Sequence, residues 1–449
     1  MRWIFGGAFL VLMVLSIVAW RIAPEPPGGP DKVTLVWATD NNPVREAQVA
    51  LFNKLNPDLH LTIDPVNNAR EKVIVQSIGG VGPDLFDTYG FESLRAFVNS
   101  GVAWDITDPL REEGIIVEDL IWPVGVSSCV MSGRTYGFPA NVNADAIWYN
   151  KDLFDEAGVP YPRPGWTWEE LIETGKKLTQ RDANGRPVRF GLYFSFDAWQ
   201  NIVRTFGGQL WEDGGTRCVI DSPDAVEGLQ MLQDLMYTHR VVPSPQEEAT
   251  LSTQGGWGSG GITFLMGGRV AMAFGGRWWL NLIRKEAPNL RLGVVELPFT
   301  KRNSVVGGAR CVLVNSKSPK RDYALRFIKF LSGPEYNQLL NDQADALAPV
   351  KSYSFTERFL HNPEWPDEDY NAVWREVVSK STPEEVNPFV KGAELGPLNQ
   401  QLDLIKANLK PAPAAARDAA KNMDDRIRRQ ARMRPELAEL YQQLTGVAP

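Results

Sequence analysis

Histidine and cysteine are scarce in this chain of 449 residues, with three of each. Cys129, Cys218 and Cys311 lie far apart and make no metal-ligand spacing with one another or with the histidines, so no metal or other cofactor is expected. An odd number of cysteines leaves at least one thiol free; the fold does not depend on disulfides, although one bridge stays open. A Gly-x-Ser-x-Gly elbow and a phosphate-cradling glycine loop are both missing, which removes support for acyl-transfer and nucleotide chemistry. Basic residues are not in excess either. Lys and Arg number 47 against 54 Asp and Glu, a net charge of −7, so the basic footprint that nucleic acid requires is absent. There is no internal repeat, no charged tail and no long low-complexity stretch.

What is present is the balance of a folded protein, 43% apolar and 22% charged, in a chain long enough for two or three domains. Residues 3–20 are uncharged and mostly apolar, flanked by Arg2 and Arg21. That length exceeds the usual apolar core of a signal peptide and just reaches what spans a bilayer. Two readings of residues 1–22 stand: a signal peptide cleaved after Ala19, or a signal anchor that stays attached. Ile17 is a poor match for the small residue that cleavage prefers, and no lipoprotein cysteine follows. Residues 23–32 contain the run Ala-Pro-Glu-Pro-Pro-Gly-Gly-Pro, a stiff tether.

The folded part opens with a β-rich run at residues 33–37. Asn42 and Pro43 start a helix with Val44, Ala47, Leu51 and Leu55 on one face. Strands are predicted at residues 60–66, 84–87, 269–274, 292–297 and 311–315. Thr167 to Glu170 forms a capping box. Ser222 and Pro223 open another helix with Val226, Leu229, Leu232 and Met236 inward, residues 323–331 form one that ends at Gly333, and the last hundred residues read as helices. Strands alternating with helices predict an α/β fold.

Five segments, in order, resemble the family 1 extracellular solute-binding proteins, the maltodextrin-binding kind. They are Tyr136-Gly-Phe-Pro139 with Tyr149-Asn-Lys-Asp-Leu-Phe154, Ala157-Gly158 and Thr167-Trp-Glu-Glu-Leu171; Gly207-Gly208 with Asp221-Ser-Pro-Asp-Ala-Val226; Phe264-Leu-Met-Gly-Gly-Arg-Val-Ala-Met272 with Gly276-Arg277-Trp278; Gly307-Gly308 with Ser316-Lys-Ser318; and Ala348-Pro349-Val350. The resemblance runs from Val33 to the C-terminus. It implies a type II periplasmic binding protein fold, two α/β lobes joined by crossing strands with a ligand cleft between them. The expected lobes are residues 33–141 with 292–343, and residues 142–291 with 344–449. The crossings are expected near 140–143, 292–295 and 343–347. The implied function is an exported binding protein that captures a carbohydrate-like solute by hinge closure and hands it to ABC transporter permease subunits, as a monomer and without catalysis.

Sugar recognition needs flat aromatics against C–H faces and planar groups that bond paired hydroxyls. Trp278, Trp199 and Phe196 stand where relatives place stacking aromatics. Asp40 and Asn41 follow the first strand, Tyr89 and Glu92 the third, at loops that face ligand in open α/β sheets. Asn143 and Asp145 lie at the first crossing, and Gly307 and Gly308 let backbone approach a solute. Each has a plainer reading as core packing, a helix cap or a turn. Two rival functions carry their own features. A glycosidase needs two carboxylates at the spacing of that chemistry, for which Asp87 with Glu92 is one example among many candidate pairs, none assigned to a cleft. A tethered sugar sensor for a signalling partner needs the same cleft and a retained N-terminal segment.

Overall fold

The strands form where β-branched and aromatic residues cluster, and those at the centre of the fold, such as Gly137–Asn150 and Val270–Gly276, are buried on both faces. The computed structural model describes residues 31–251 and 260–449, with positions 12, 13, 16, 28 and 29 ahead of them. Those few positions apart, the expected signal or anchor segment and its tether lie outside the described residues. Among the described residues no helix is long and apolar enough to cross a membrane.

Eleven strands occur in the described chain: β1 (Val33–Ala38), β2 (Leu59–Ile63), β3 (Leu85–Tyr89), β4 (Val130–Met131), β5 (Arg134–Thr135), β6 (Gly137–Asn150), β7 (Gln180–Arg181), β8 (Pro187–Tyr193), β9 (Val270–Gly276), β10 (Leu292–Val295) and β11 (Gly307–Val314). β4 and β5 pair by themselves, and the other nine form one sheet in the order β2-β1-β3-β11-β6-β9-β8-β7, with β10 also on β6. The β1–β2, β1–β3 and β8–β9 pairs are parallel, as right-handed crossovers through helices require.

β6 is the strand on which the molecule turns. Its first half, through Ala144, pairs antiparallel with β11, Gly307 standing opposite Ala144 and Gly308 opposite Asn143. From Asp145 onward it pairs with β9, Gly276 opposite Asp145, and with β10, Ile147 opposite Val295. One continuous strand thus joins the two halves of the sheet, and a cavity opens beside its partner change at Ala144 and Asp145. Leu347 adds a bridge to Val142 beside it.

The cores are aromatic. Trp37 and Phe52 meet Phe327 at 5.0 and 5.1 Å beside β1; Trp148 of β6 meets Trp374 at 5.1 Å and Tyr370 at 5.3 Å. Of the helices after β11, Ala412–Met433 buries Ala412, Ala415, Ala416, Ala419 and Ala420, and this row of small residues lets it lie close against helices Gly396–Lys406 and Pro223–Tyr237. The capping box forms as expected: the Thr167 hydroxyl accepts from Glu170 N at 3.2 Å and the Glu170 carboxylate accepts from Thr167 N at 2.7 Å.

Helix Pro43–Leu55 departs from expectation. Asn42 caps it, accepting from Arg45 N at 3.0 Å, but the buried face is Arg45, Gln48 and Phe52, while Leu55 is exposed. The helix is turned so that an arginine points inward, because a buried carboxylate waits for it.

Candidate ligand-binding site

Side chains alternate along a strand, so Asn141 and Asn143 of β6 fall on one face. Gly308 and Arg310 of β11 stand beside them, opposite Asn143 and Asn141. Around these four residues lies a cavity of about 550 Å³, within the range of small-molecule sites. Its walls bring together Asp40, Asn42 and Arg45 after β1, Tyr89 and Phe91 after β3, Trp278 and Asn281 after β9, Asp345 and Ala346 from the segment bridged to β6, and Glu384.

Beneath it two guanidiniums interlock with carboxylates. Arg45 Nη1 meets Asp345 Oδ2 at 2.5 Å and its Nε lies 3.4 Å from Asp40 Oδ1. Asn42 Nδ2 also donates to Asp40. Arg310 Nη1 donates to Asp87 Oδ2 at 3.1 Å, and its Nη2 is 3.9 Å from Asp345 Oδ2. Asp87 accepts further from Trp37 Nε1 at 2.8 Å and Thr39 Oγ1 at 2.5 Å. Burial by itself would push the Asp345 carboxyl up; Arg45 and Arg310 outweigh it and hold it below the usual range, so it is ionised.

Asp345 sits between Ala344 and Ala346, both left-handed with φ of 59° and 63°. Such backbone is strained for alanine and persists only when its surroundings fix it. Here Arg45 grips Asp345, and Arg277 Nη1 donates to Ala346 O at 2.7 Å. Arg277 is itself buried under Phe359, at 4.9 Å from the ring, and bonds Asn371 through Nε at 3.0 Å. Burial lowers its pKa to about 10. It anchors the turn that presents Trp278, whose indole packs on Gly276, where an added Cβ would come within 2.5 Å of the ring.

Several buried polar atoms of this cavity's residues have no hydrogen-bond partner in the protein: Arg45 Nε, Arg310 Nε and Nη2, Asn143 Oδ1 and Asn281 Oδ1. Buried polar groups are paired in nearly all proteins, so a gathering of unpaired ones around one cavity points to a partner from outside.

Of the residues singled out from sequence, Asp40, Tyr89, Asn143, Trp278, Gly307 and Gly308 come together in this wall. Asn41, Glu92, Asp145, Phe196 and Trp199 are not among its lining. Asn41 is exposed. Glu92 pairs with Arg95 at 2.6 Å. Asp145 accepts from Asn143 Nδ2 at 3.1 Å, and burial raises its pKa. Phe196 and Trp199 are buried after β8, Lys406 standing 5.7 Å over the Phe196 ring. Sequence reasoning missed Arg45, Asn141, Asn281, Arg310, Asp345 and Glu384. Two had a signal: Asn141 lies two residues before Asn143 and Arg310 two after Gly308, on the same strand faces. The carboxylates of the glycosidase reading, Asp87 and Glu92, are each tied to an arginine.

The sequence pattern described as bacterial extracellular solute-binding protein matches residues 38–338, well over half of the chain. The chain belongs to that family. Among curated relatives, the arabinooligosaccharide-binding protein of Halalkalibacterium halodurans is 26% identical over 70% of this chain and 62% of its own length. The sn-glycerol-3-phosphate-binding periplasmic protein of Shigella dysenteriae is 24% identical over 82% of this chain and 85% of its own. Among solved structures, an ABC substrate-binding protein from Listeria monocytogenes in complex with cycloalternan superposes with a TM-score of 0.75 at 22% identity, covering 88% of this chain and 99% of that one. The maltodextrin-binding domain from Bdellovibrio bacteriovorus bound to maltotriose gives 0.70 at 18%, covering 88% and 100%. These likenesses establish the type II periplasmic binding fold expected from sequence; family members are binding proteins.

Proposed function

We propose that this chain captures a carbohydrate in the cleft beside β6, closes its lobes over it, and delivers it outside the cytoplasm to the permease of an ABC importer, without catalysing a reaction. The observation that carries the reading is the lining itself. Flat rings from Tyr89 and Trp278 stand with planar amides, carboxylates and guanidiniums, and several polar atoms of the amides and guanidiniums lack a hydrogen-bond partner in the protein. That is the mixture a ring with an apolar face and a rim of hydroxyls requires. The names of relatives that bind arabinooligosaccharide, cycloalternan or maltotriose support the class of solute.

For the lobes we propose the division expected from sequence, residues 33–141 with 292–343 and 142–291 with 344–449, with one change. Because β10 pairs with the second half of β6 and β11 with the first, the return to the first lobe is drawn between residues 296 and 306. The N-terminal segment either is removed on export or tethers the lobes near the permease.

The test is thermal unfolding of the purified protein with mono- and oligosaccharides and polyols. A solute bound only by the folded state raises the melting temperature, and isothermal titration gives its Kd. Product analysis of the same mixtures should find the sugar unchanged. A panel in which nothing binds, or in which sugar is cleaved, overturns the reading.

A further inference from the structure

The charges of this cleft are matched to each other before any solute arrives. Arg45 is held by Asp345 at 2.5 Å and flanked by Asp40 at 3.4 Å; Arg310 is held by Asp87 at 3.1 Å and flanked by Asp345 at 3.9 Å. Glu384 adds a further carboxylate to the wall. Two guanidiniums therefore answer to four carboxylates. A phosphate or carboxylate entering here would be stripped of water and set against that excess of like charge, and among the described residues lining the cavity there is no basic side chain besides these two to receive it.

A neutral polyol meets no such barrier. Arg310 is 4% exposed and forms part of the cavity wall, and its Nε and Nη2 have no hydrogen-bond partner. These two nitrogens share one edge of the planar guanidinium, a rigid fork of donors suited to two oxygens on adjacent atoms. Hydroxyl groups can accept from that fork and donate to the unpaired Asn143 and Asn281 oxygens, which a phosphate cannot do.

Resting on the sugar-binding reading above, we propose that this cleft selects uncharged sugars against sugar phosphates and sugar acids. Arg310 recognises a vicinal pair of sugar oxygens, and Asp345 sets the selectivity by neutralising both guanidiniums. This distinguishes the chain from the relative whose name states a phosphorylated ligand.

Titration calorimetry of the full chain decides it, using arabinose, galactose, glucose and maltose beside glucuronate, glucose 6-phosphate and sn-glycerol 3-phosphate. The expected result is binding of at least one neutral sugar, with every charged compound at least about tenfold weaker. Asp345→Asn should narrow that ratio by about tenfold or more. Arg310→Lys keeps the charge beside Asp87 but loses the fork; it should weaken the bound sugar about tenfold and abolish discrimination against its single-deoxy analogues, which a purely structural role would not do. A charged compound binding as tightly as the neutral ones overturns the selectivity while leaving capture of a solute intact. Unchanged deoxy discrimination in Arg310→Lys overturns the role of Arg310. Where a variant fails to fold by circular dichroism, the neutral and charged pairs on the unaltered protein decide the selectivity, and the deoxy analogues on that protein decide whether a vicinal pair is read. If no compound of either kind binds, it is the sugar-binding reading that fails.

Discussion

Two tryptophans that look alike in the sequence do different work. Trp278 lines the cavity, presented by a turn that Arg277 anchors, whereas Trp199 is packed in the core. Trp278→Ala is therefore expected to weaken sugar binding by about 1–3 kcal/mol, the scale of removing a large apolar contact, with little change in melting temperature. Trp199→Ala should do the reverse, lowering stability by about 3–5 kcal/mol as a core truncation while the folded fraction binds normally. Calorimetry and thermal melts on both proteins check the pair, and equal loss of affinity in the two would contradict it. Gly308 gives an independent probe. A Cβ there meets no atom within 4 Å, and the residue is part of the cavity wall. Gly308→Leu should thus fold with an unchanged melt and lose most binding by filling the cleft. Sequence could not separate the tryptophans, because a large ring with one polar edge suits a core and a cleft equally. Nor could it find Asp345, whose arginine partner is 300 positions away in the chain.

At the scale of elements, local signals were legible wherever chemistry within a few residues decides the outcome. Asn42 and Thr167 cap their helices as read, and the first strands stand within a few residues of their predicted places. Apolar periodicity failed for helix Pro43–Leu55 because its inner face answers to an ion pair rather than to hydrophobic burial. β6 escaped a full reading for a related reason. Its central Asn141, Asn143 and Asp145 look like a turn, and only pairing with β11 and β9 explains why they remain extended. Close packing also depends on single atoms. Gly191 of β8 lies so near helix Trp168–Leu178 that a Cβ would come within 2.1 Å of the Gly175 carbonyl oxygen. Backbone on both sides cannot give way cheaply, so Gly191→Ala is expected to destabilise the second lobe by about 1–3 kcal/mol, read as a lower denaturation midpoint. A midpoint equal to that of the unaltered protein would show that helix and strand can separate.

For the whole molecule the question is what sets the balance between open and closed lobes. Glu384 lies on a segment that touches both. Arg204 of the second lobe donates to Thr382 O at 3.2 Å and Pro383 O at 3.3 Å, while Arg95 on helix Gly90–Asn99 of the first lobe donates to Asn387 O at 3.3 Å. In this arrangement burial raises the Glu384 pKa, and the nearby Glu92 raises it further, against an opposing pull from Arg204. In the lobe opening proposed above, Glu384 returns to water and toward the ordinary glutamate value of about 4.3. A carboxyl whose pKa is higher in the closed form favours closure below that ordinary value, and the advantage is lost as pH rises through the raised one. With solute held by the closed form, as proposed, affinity for a neutral sugar should fall as pH climbs from about 4.3 toward neutrality. Asp145, raised by burial, adds in the same sense; Asp345, held low by its arginines, is ionised throughout this range and adds nothing. Glu384→Gln removes the titrating group without removing its bulk. It should bind more tightly than the unaltered protein near pH 7, with a flatter pH profile, and its radius of gyration in small-angle scattering should be smaller under subsaturating sugar. A profile as steep as that of the unaltered protein would exclude Glu384 from the closing equilibrium and leave Asp145 as the next carboxyl to test, since burial raises it in the same sense beside β6's change of partner.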